Sequence, residues 1–231
     1  MRDVENIEAI ATLPINYLGF IFYEKSPRFV MNNDVFETAK IPETIQRVAV
    51  VVNEHLDFIT HLYDDFGFRI VQLHGNESPA FCRLLKLELK NIEIWKAFSV
   101  ADDFDFSVTT QYTNVVDYFL FDTKTNQHGG SGQKFNWQVL NKYKGKKKFF
   151  LSGGITIDDA DAIKKIKNKK LIGVDINSKF EITPAMKNFD AVKFFSKKIS
   201  SQKNLKMKSK KIQKKQIKSL RTLLLTLRTL R

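Results

Sequence analysis

An aspartate that closes an apolar run needs a physical reason. Asp122 ends the run Tyr118–Asp122 (YFLFD), and an unpaired carboxylate beside that much apolar surface is costly. Either it works as an acid or base with a raised pKa, or it bonds to loop backbone; the residue alone supports both equally. His74 follows Ile70–Leu73 (IVQL). In extended chain Gln72 and His74 face one side and Leu73 the other, although a lone histidine is more often structural than catalytic. Arg28 stands in Tyr23–Phe29 (YEKSPRF). A guanidinium there suits a bidentate grip on a carboxylate, while on composition alone it reads as a surface-loop arginine. Three further segments are glycine-rich or small and polar: Gly129–Gly132 (GGSG), Ser152–Gly154 (SGG) and Asp175–Ser178 (DINS). Glycine lets backbone N–H groups come close to an anion, but a GGSG run by itself is common linker composition.

These residues need strands to hold them. Seven short apolar runs recur every 22 to 31 residues: Tyr17–Phe22, Val48–Val52, Ile70–Leu73, Ile92–Phe98, Tyr118–Asp122, Lys148–Ser152 and Leu171–Ile176. They are β-branched or aromatic and do not alternate strictly, as strands buried on both faces read. The spacing leaves room for one helix between each pair. Helices are predicted over Asp3–Ala11, Glu54–Phe66, Ser78–Lys90, Phe135–Asn141, Ile157–Ile166 and Thr183–Lys198, with a short one between Phe104 and Tyr112. Asp3 is the predicted cap of the first, and Ser78 followed by Pro79 opens the third. A repeating strand–helix pattern implies a parallel α/β sheet, open or closed into a barrel. A barrel wants eight strands and keeps its active site at their C-terminal ends. If one strand is absent in front of Met1, the last two runs are barrel strands seven and eight, whose loops commonly bind phosphate.

Composition narrows the class. Of 231 residues, 43% are hydrophobic and 27% charged, enough for a core in one large domain. Cys82 is the single cysteine, which excludes an intrachain disulfide and a cysteine-rich metal site and suits a reducing cytoplasm. No apolar stretch is long enough for a membrane span, and MRDVENIEAI is acidic and helical in pattern, unlike a signal peptide. Ser201–Arg231 holds eight Lys, three Arg and no acid, so +11 of the net +13 belongs to a tail and only +2 to residues 1–200. The two expected parts are therefore a barrel over 1–200 and a basic low-complexity tail over 201–231. Leu220, Leu223, Leu224, Leu227 and Leu230 share one helical face. A basic amphipathic helix can bind a membrane or a partner, yet the tail has no aromatic residue for base stacking, and no nucleic-acid partner is expected.

Taken together, YLGFIFYEKSPRFV (17–30), VQLHGNES (71–78), LFDT (120–123), GGSGQKFNW (129–137), LSGGIT (151–156) and GVDINSKFE (173–181), followed by Pro184 and Lys187, resemble the phosphoribosylanthranilate isomerases in family order. The resemblance covers essentially residues 1–200. It implies a (β/α)8 TIM barrel and a cytoplasmic enzyme of tryptophan biosynthesis, either monomer or homodimer. Its small-molecule substrate, N-(5′-phosphoribosyl)anthranilate, undergoes an Amadori rearrangement without cofactor or metal. The family's acid matches Asp122, and its arginine for the anthranilate carboxylate matches Arg28. Its phosphate-holding loops match Gly130, Ser131, Gly153, Gly154, Asn177 and Ser178, and His74 falls where the pocket is lined.

The family's base is a cysteine ending the first strand in the pattern Cys-Gly-Met-Arg, and this chain begins Met1-Arg2-Asp3. Cys82 lies in a helical run, where a buried small apolar residue is the better reading. A misplaced start codon and a real loss both account for the mismatch. Losing a general base costs roughly 10² to 10⁴ in rate, and losing a strand leaves two unpaired edges; the expectation is a chain that folds poorly and turns over slowly. Lys179 stands where many relatives have glycine, as does Ala185 after Pro184. Two other readings stay open. One is a different phosphosugar barrel such as indole-glycerol-phosphate synthase, for which Lys96 would be the one tempting catalytic lysine. The other is a degenerate, non-catalytic barrel with a basic binding tail.

Overall fold

The computed structural model describes residues 1–30, 35, 38–123 and 136–199. All seven apolar runs are strands: β1 (Tyr17–Ile21), β2 (Gln46–Val51), β3 (Ile70–Leu73), β4 (Glu93–Val100), β5 (Tyr118–Thr123), β6 (Phe149–Ser152) and β7 (Leu171–Val174). They form one sheet in chain order, and every neighbouring pair is parallel. Side chains alternate between two apolar clusters. Val48, Ile70, Trp95, Ala97, Leu120 and Phe150 gather on one face. Their chain neighbours, among them Ala49, Val71, Ile94, Phe119 and Leu151, join the helices on the other. Both faces are therefore dry, which is why the runs lack polar alternation.

The inner cluster curls the sheet. The Tyr17 ring of β1 meets Trp95 of β4 edge-on with centroids 4.8 Å apart, and Phe150 of β6 at 5.8 Å. In a flat sheet, strands three and five places apart would be separated by roughly 14 and 24 Å, so these contacts require a strongly curved wall. Trp95 and Phe150 stack at 4.3 Å and 21°. Gly173 lets β7 approach this stack, since a Cβ there would lie 2.8 Å from the Phe150 ring. The architecture is an α/β barrel wall of seven parallel strands. Among the described residues, no strand pairs with the outer edge of β1 or of β7.

The helices follow from their caps. Helix α1 (Val4–Ala11) starts where the Asp3 carboxylate accepts from the Asn6 N–H at 2.7 Å. Helix α2 (Leu56–Asp64) buries Ile59 and Leu62. Helix α3 (Pro79–Glu88) starts where Ser78 Oγ accepts from the Phe81 N–H, with proline in its first turn. Helix α4 (Ala160–Lys164) is preceded by a 3-10 turn, Ile157–Asp159, boxed by Thr156 and Asp159. Two expected helices are 3-10 instead: Phe106–Tyr112, and Trp137–Lys142 in place of Phe135–Asn141. In each, an Asp or Asn side chain accepts from the N–H two residues on, closing a tight turn rather than an α turn.

The expected helix Thr183–Lys198 is also corrected. Its first part is an antiparallel hairpin, β8 (Glu181–Thr183) and β9 (Met186–Lys187). Pro184 has no N–H to donate, and Ala185 takes φ 72°, which no right-handed helix tolerates. The helix, α5, covers residues 189–199, where Asn188 Oδ1 accepts from the Ala191 N–H at 3.0 Å. Asn6 of α1 holds the hairpin in place, donating to the Lys187 carbonyl and accepting from its N–H, both at 2.8 Å.

Ala185 is buried at 3% exposure in a conformation suited to glycine. Ala185→Gly should raise stability by about 1 kcal/mol, the cost of left-handed backbone for a residue with Cβ. Urea unfolding should show a higher midpoint at unchanged slope.

Candidate active site

A cavity of about 1160 Å³ runs along the inner side of the wall, from Asn16 and Tyr17 at the start of β1 to the C-terminal ends of the strands. Because parallel strands end on one rim and the wall is curved, residues far apart in sequence line it together. Gln72 and His74 come from β3 and the turn after it, Asp122 from β5, Ser152 from β6, and Asp175 from the residue after β7. Leu73 points the other way into the outer core, as the alternation requires.

Two hydrogen-bonded units face the cavity. In the first, the Gln72 side-chain amide donates to His74 Nδ1 at 2.9 Å, and His74 Nε2 lies 3.3 Å from Asp122 Oδ2. An NH₂ donor on Nδ1 makes that nitrogen the acceptor, so Nε2 carries the proton and points it at Asp122. In the second, Ser152 Oγ donates to Asp175 Oδ2 at 3.3 Å. The register pairs Asp122 with Ser152, and the Asp175 N–H donates to the Leu151 carbonyl at 2.8 Å. Asp122, Ser152 and Asp175 thus form a row across three adjacent strand ends. Burial pushes the Asp175 carboxyl above the usual carboxylate range, and neighbouring Asp122 adds to this; Lys187, His74 and the Ser152 hydroxyl pull the other way.

The cavity lining also holds two cations, Arg28 and Lys187. Arg28 grips Glu181 with both Nε and Nη2, at 2.7 to 3.0 Å. Lys187 donates to Glu181 Oε1, which Arg28 Nε also reaches, at 2.8 Å and to Asn177 Oδ1 at 2.5 Å. The Glu181 side chain is 4% exposed. Burial pushes its carboxyl up, but hydrogen bonds from Arg28 and Lys187, with their charges, outweigh it and hold Glu181 below its ordinary value. Burial lowers the Lys187 ammonium from its usual value, against Glu181 and Asp175. Gly153 (φ 92°) and Gly154 (φ 60°) line the same space in conformations that side chains disfavour, and a Cβ on Gly154 would meet nothing within 4 Å. Their backbone faces open cavity beside Asn177 and Ser178.

The structure therefore brings together Asp122, Arg28, His74, Gly153, Gly154, Asn177 and Ser178. Gly130 and Ser131 lie outside the described residues, as does the 201–231 tail. Sequence reasoning assigned no role to Glu181, Lys187 or Asp175. The signal for Asp175 was available, because it closes LIGV as Asp122 closes YFLF. Glu181 carried none, since its partner Arg28 is 153 residues away. Lys96 and Cys82 sit elsewhere. Lys96 is 2% exposed, pairs with Glu77 at 3.2 Å and donates to the carbonyls of Leu73, Gly75 and Ala97. Cys82 is fully buried in α3, and burial pushes its thiol up to about 11. Neither lines the cavity. Among the described residues, no cluster of three or more His, Cys, Asp or Glu is arranged to hold a metal, and no helix is long and apolar enough to cross a membrane.

Residues 1–198 match the family model for N-(5′-phosphoribosyl)anthranilate (PRA) isomerase. The chain is 41% identical over 201 residues to the N-(5′-phosphoribosyl)anthranilate isomerase of Parabacteroides distasonis, covering 86% of this chain and 90% of the relative. It is 40% identical to that of Phocaeicola vulgatus, covering 84% and 92%. Among solved structures, the phosphoribosyl anthranilate isomerase of Thermotoga maritima superposes with a TM-score of 0.75 at 28% identity, covering 87% of this chain and 96% of that one.

Glu181 fixes an acid limb of stability. Its folded pKa is depressed, so its contribution is present above the unfolded value, about 4.3, and is lost as pH falls through the folded value. Glu181→Gln should cost about 3 kcal/mol at pH 7, as breaking a largely buried ion pair does. The gap in melting temperature between the two proteins should narrow steadily below about pH 4. A gap independent of pH would contradict this.

Proposed function

Because the chain belongs to the N-(5′-phosphoribosyl)anthranilate isomerase family, we propose that it opens the ribose ring of phosphoribosylanthranilate through Asp122, in the Amadori step of tryptophan biosynthesis. The product is 1-(2-carboxyphenylamino)-1-deoxyribulose 5-phosphate. The chemistry needs an acid at the ring oxygen and a base at ribose C2. The observation that carries the assignment is the Gln72–His74–Asp122 relay at the cavity rim. A histidine N–H aimed at the carboxylate fixes its orientation and supports the charge that Asp122 gains once it has given its proton to the ring oxygen.

The rest of the cavity supports substrate placement at its two ends. Backbone N–H groups around Gly153 and Gly154, with Asn177 and Ser178, suit the phosphate, and Lys187 beside Asn177 adds a positive charge. Arg28 suits the anthranilate carboxylate, with one refinement. Its Nε–Nη2 edge is already taken by Glu181, which leaves the Nη1 side for the substrate. The same ion pair holds the guanidinium still, so less side-chain freedom is lost on binding. The synthase reading lacks its lysine, since Lys96 is spent on Glu77 and three carbonyls away from the cavity.

Turnover is followed as loss of phosphoribosylanthranilate fluorescence. Asp122→Asn should lower kcat by about 10² to 10⁴ with little change in KM, the usual cost of removing an acid–base group. Arg28→Met should instead act chiefly on KM. Full activity in Asp122→Asn would remove the ring-opening role given to this residue.

A further inference from the structure

Behind the turn that carries His74, two opposite charges are buried together. The Glu77 and Lys96 side chains are 2% and 3% exposed, and Lys96 Nζ lies 3.2 Å from Glu77 Oε2. We propose that this pair is a positioning device for the isomerase site: it grips the peptide groups on either side of His74 and so holds the His74 N–H on Asp122. The inference rests on the isomerase reading above and adds two residues to it, neither of which lines the cavity.

Lys96 reaches the turn from behind the wall. Its neighbours in β4, Trp95 and Ala97, belong to the inner cluster, so alternation sends Lys96 to the helix side with Ile94. The register sets it beside Leu73, the last residue of β3. Two charges in that dry layer stabilise a fold no better than well-packed apolar side chains of the same size. What they can do that apolar groups cannot is hold several backbone groups in one arrangement.

The ladder between β2 and β3 reaches the His74 N–H, which donates to the Val51 carbonyl at 2.9 Å. The peptides beyond are held by the pair. On one side of His74, the Leu73 carbonyl accepts from Lys96 Nζ at 3.2 Å. On the other, the Gly75 N–H donates to both Glu77 carboxylate oxygens at 3.1 Å, and the Gly75 carbonyl accepts from Lys96 at 2.8 Å. Glu77 Oε1 also accepts from the Asn53 N–H at 2.9 Å, and Asn53 Oδ1 accepts from the Asn76 N–H at 2.6 Å. The turn after β3 is thereby interlocked with the end of β2. The fit is close, because a Cβ on Gly75 would stand 2.4 Å from Asn53 Oδ1. From outside, the Tyr112 hydroxyl donates to the Glu77 carbonyl at 3.0 Å.

His74 Nε2 is 3.3 Å from Asp122 Oδ2, near the outer limit of a hydrogen bond. A shift of about 1 Å in the turn would break that contact, and a misplacement of this size can cost about 10²-fold in rate. Glu77 and Lys96 act through His74 and are positioning residues.

The test uses the full chain and a double-mutant cycle on turnover of phosphoribosylanthranilate. Glu77→Gln should lower kcat by about 10- to 100-fold with KM within about threefold of wild type. In a His74→Ala background the same substitution should change kcat by less than about twofold, because the residue it acts through is gone. The chain has four histidines. In imidazole NMR spectra, the His74 signals, identified by their loss in His74→Ala, should move in Glu77→Gln while the others stay in place. Where Glu77→Gln does not fold, Tyr112→Phe loosens the same turn by one hydroxyl; it should lower kcat by about two- to fivefold when His74 is present and not when it is absent. Losses that add in the double variant, or unmoved His74 signals, make the pair a general support of the fold and overturn the proposal. Wild-type kcat in Glu77→Gln or in His74→Ala overturns it and leaves the ring-opening role of Asp122 standing. A wild-type chain without turnover overturns both readings together.

Discussion

Everything at the rim depends on the contact of three rings inside the wall. Trp95 stacks on Phe150 and Tyr17 sits edge-on to both, and so side chains of β1, β4 and β6 meet at one place inside the wall. In a flat sheet of seven parallel strands these rings could not meet, and the ends of β3, β5 and β7 would not converge on one space. Offset and edge-on ring pairs are worth about 0.5–1.5 kcal/mol each beyond the area they bury. Their larger effect is geometric, because a curved wall converts sequential neighbours into a convergent site. Gly173 belongs to the same interaction, because any side chain there would push β7 off the stack.

The site divides by charge, and the division follows from where each side chain is rooted. Asp122 and Asp175 come from strand ends: Asp122 from β5, which pairs with β4 and β6, and Asp175 from the residue after β7, which pairs with β6. The cations come from Arg28 in a loop and Lys187 in the β8–β9 hairpin, which are less constrained, and each is restrained by the single buried carboxylate of Glu181. Asn6 in α1 completes the arrangement by clamping the hairpin through its backbone. One carboxylate thus organises the cavity-facing cations, and a helix at the far end of the chain holds the other strand of its hairpin.

Much of this was legible from residue types. The seven strands were visible because burial on both faces leaves a run with no polar alternation, and Asp3 and Ser78 marked helix starts through capping chemistry. Asp122 was visible because a carboxylate at the end of YFLF has no cheap explanation. The hairpin was misread as helix because its pattern of apolar residues fits either period over so short a length, and the decisive fact, a positive φ at Ala185, is set by tertiary contacts. The two 3-10 segments were misread for a related reason: a side-chain cap competing with the backbone is a local geometry that periodicity does not register. Glu181 was illegible, since nothing in its neighbourhood announces a partner 153 residues earlier. Lys96 looked like chemistry and proved to be scaffolding, held by Glu77 and three carbonyls behind the His74 turn.

Parallel pairing in chain order bears on how a shift at the site is passed on. From β3 to β7 each strand lies beside the one before it in sequence. Asp122, Ser152 and Asp175 therefore stand in a row, each registered against its neighbour. A displacement of one strand is handed along that row a step at a time, and the spacing between Asp122 and Asp175 is the sum of two such steps.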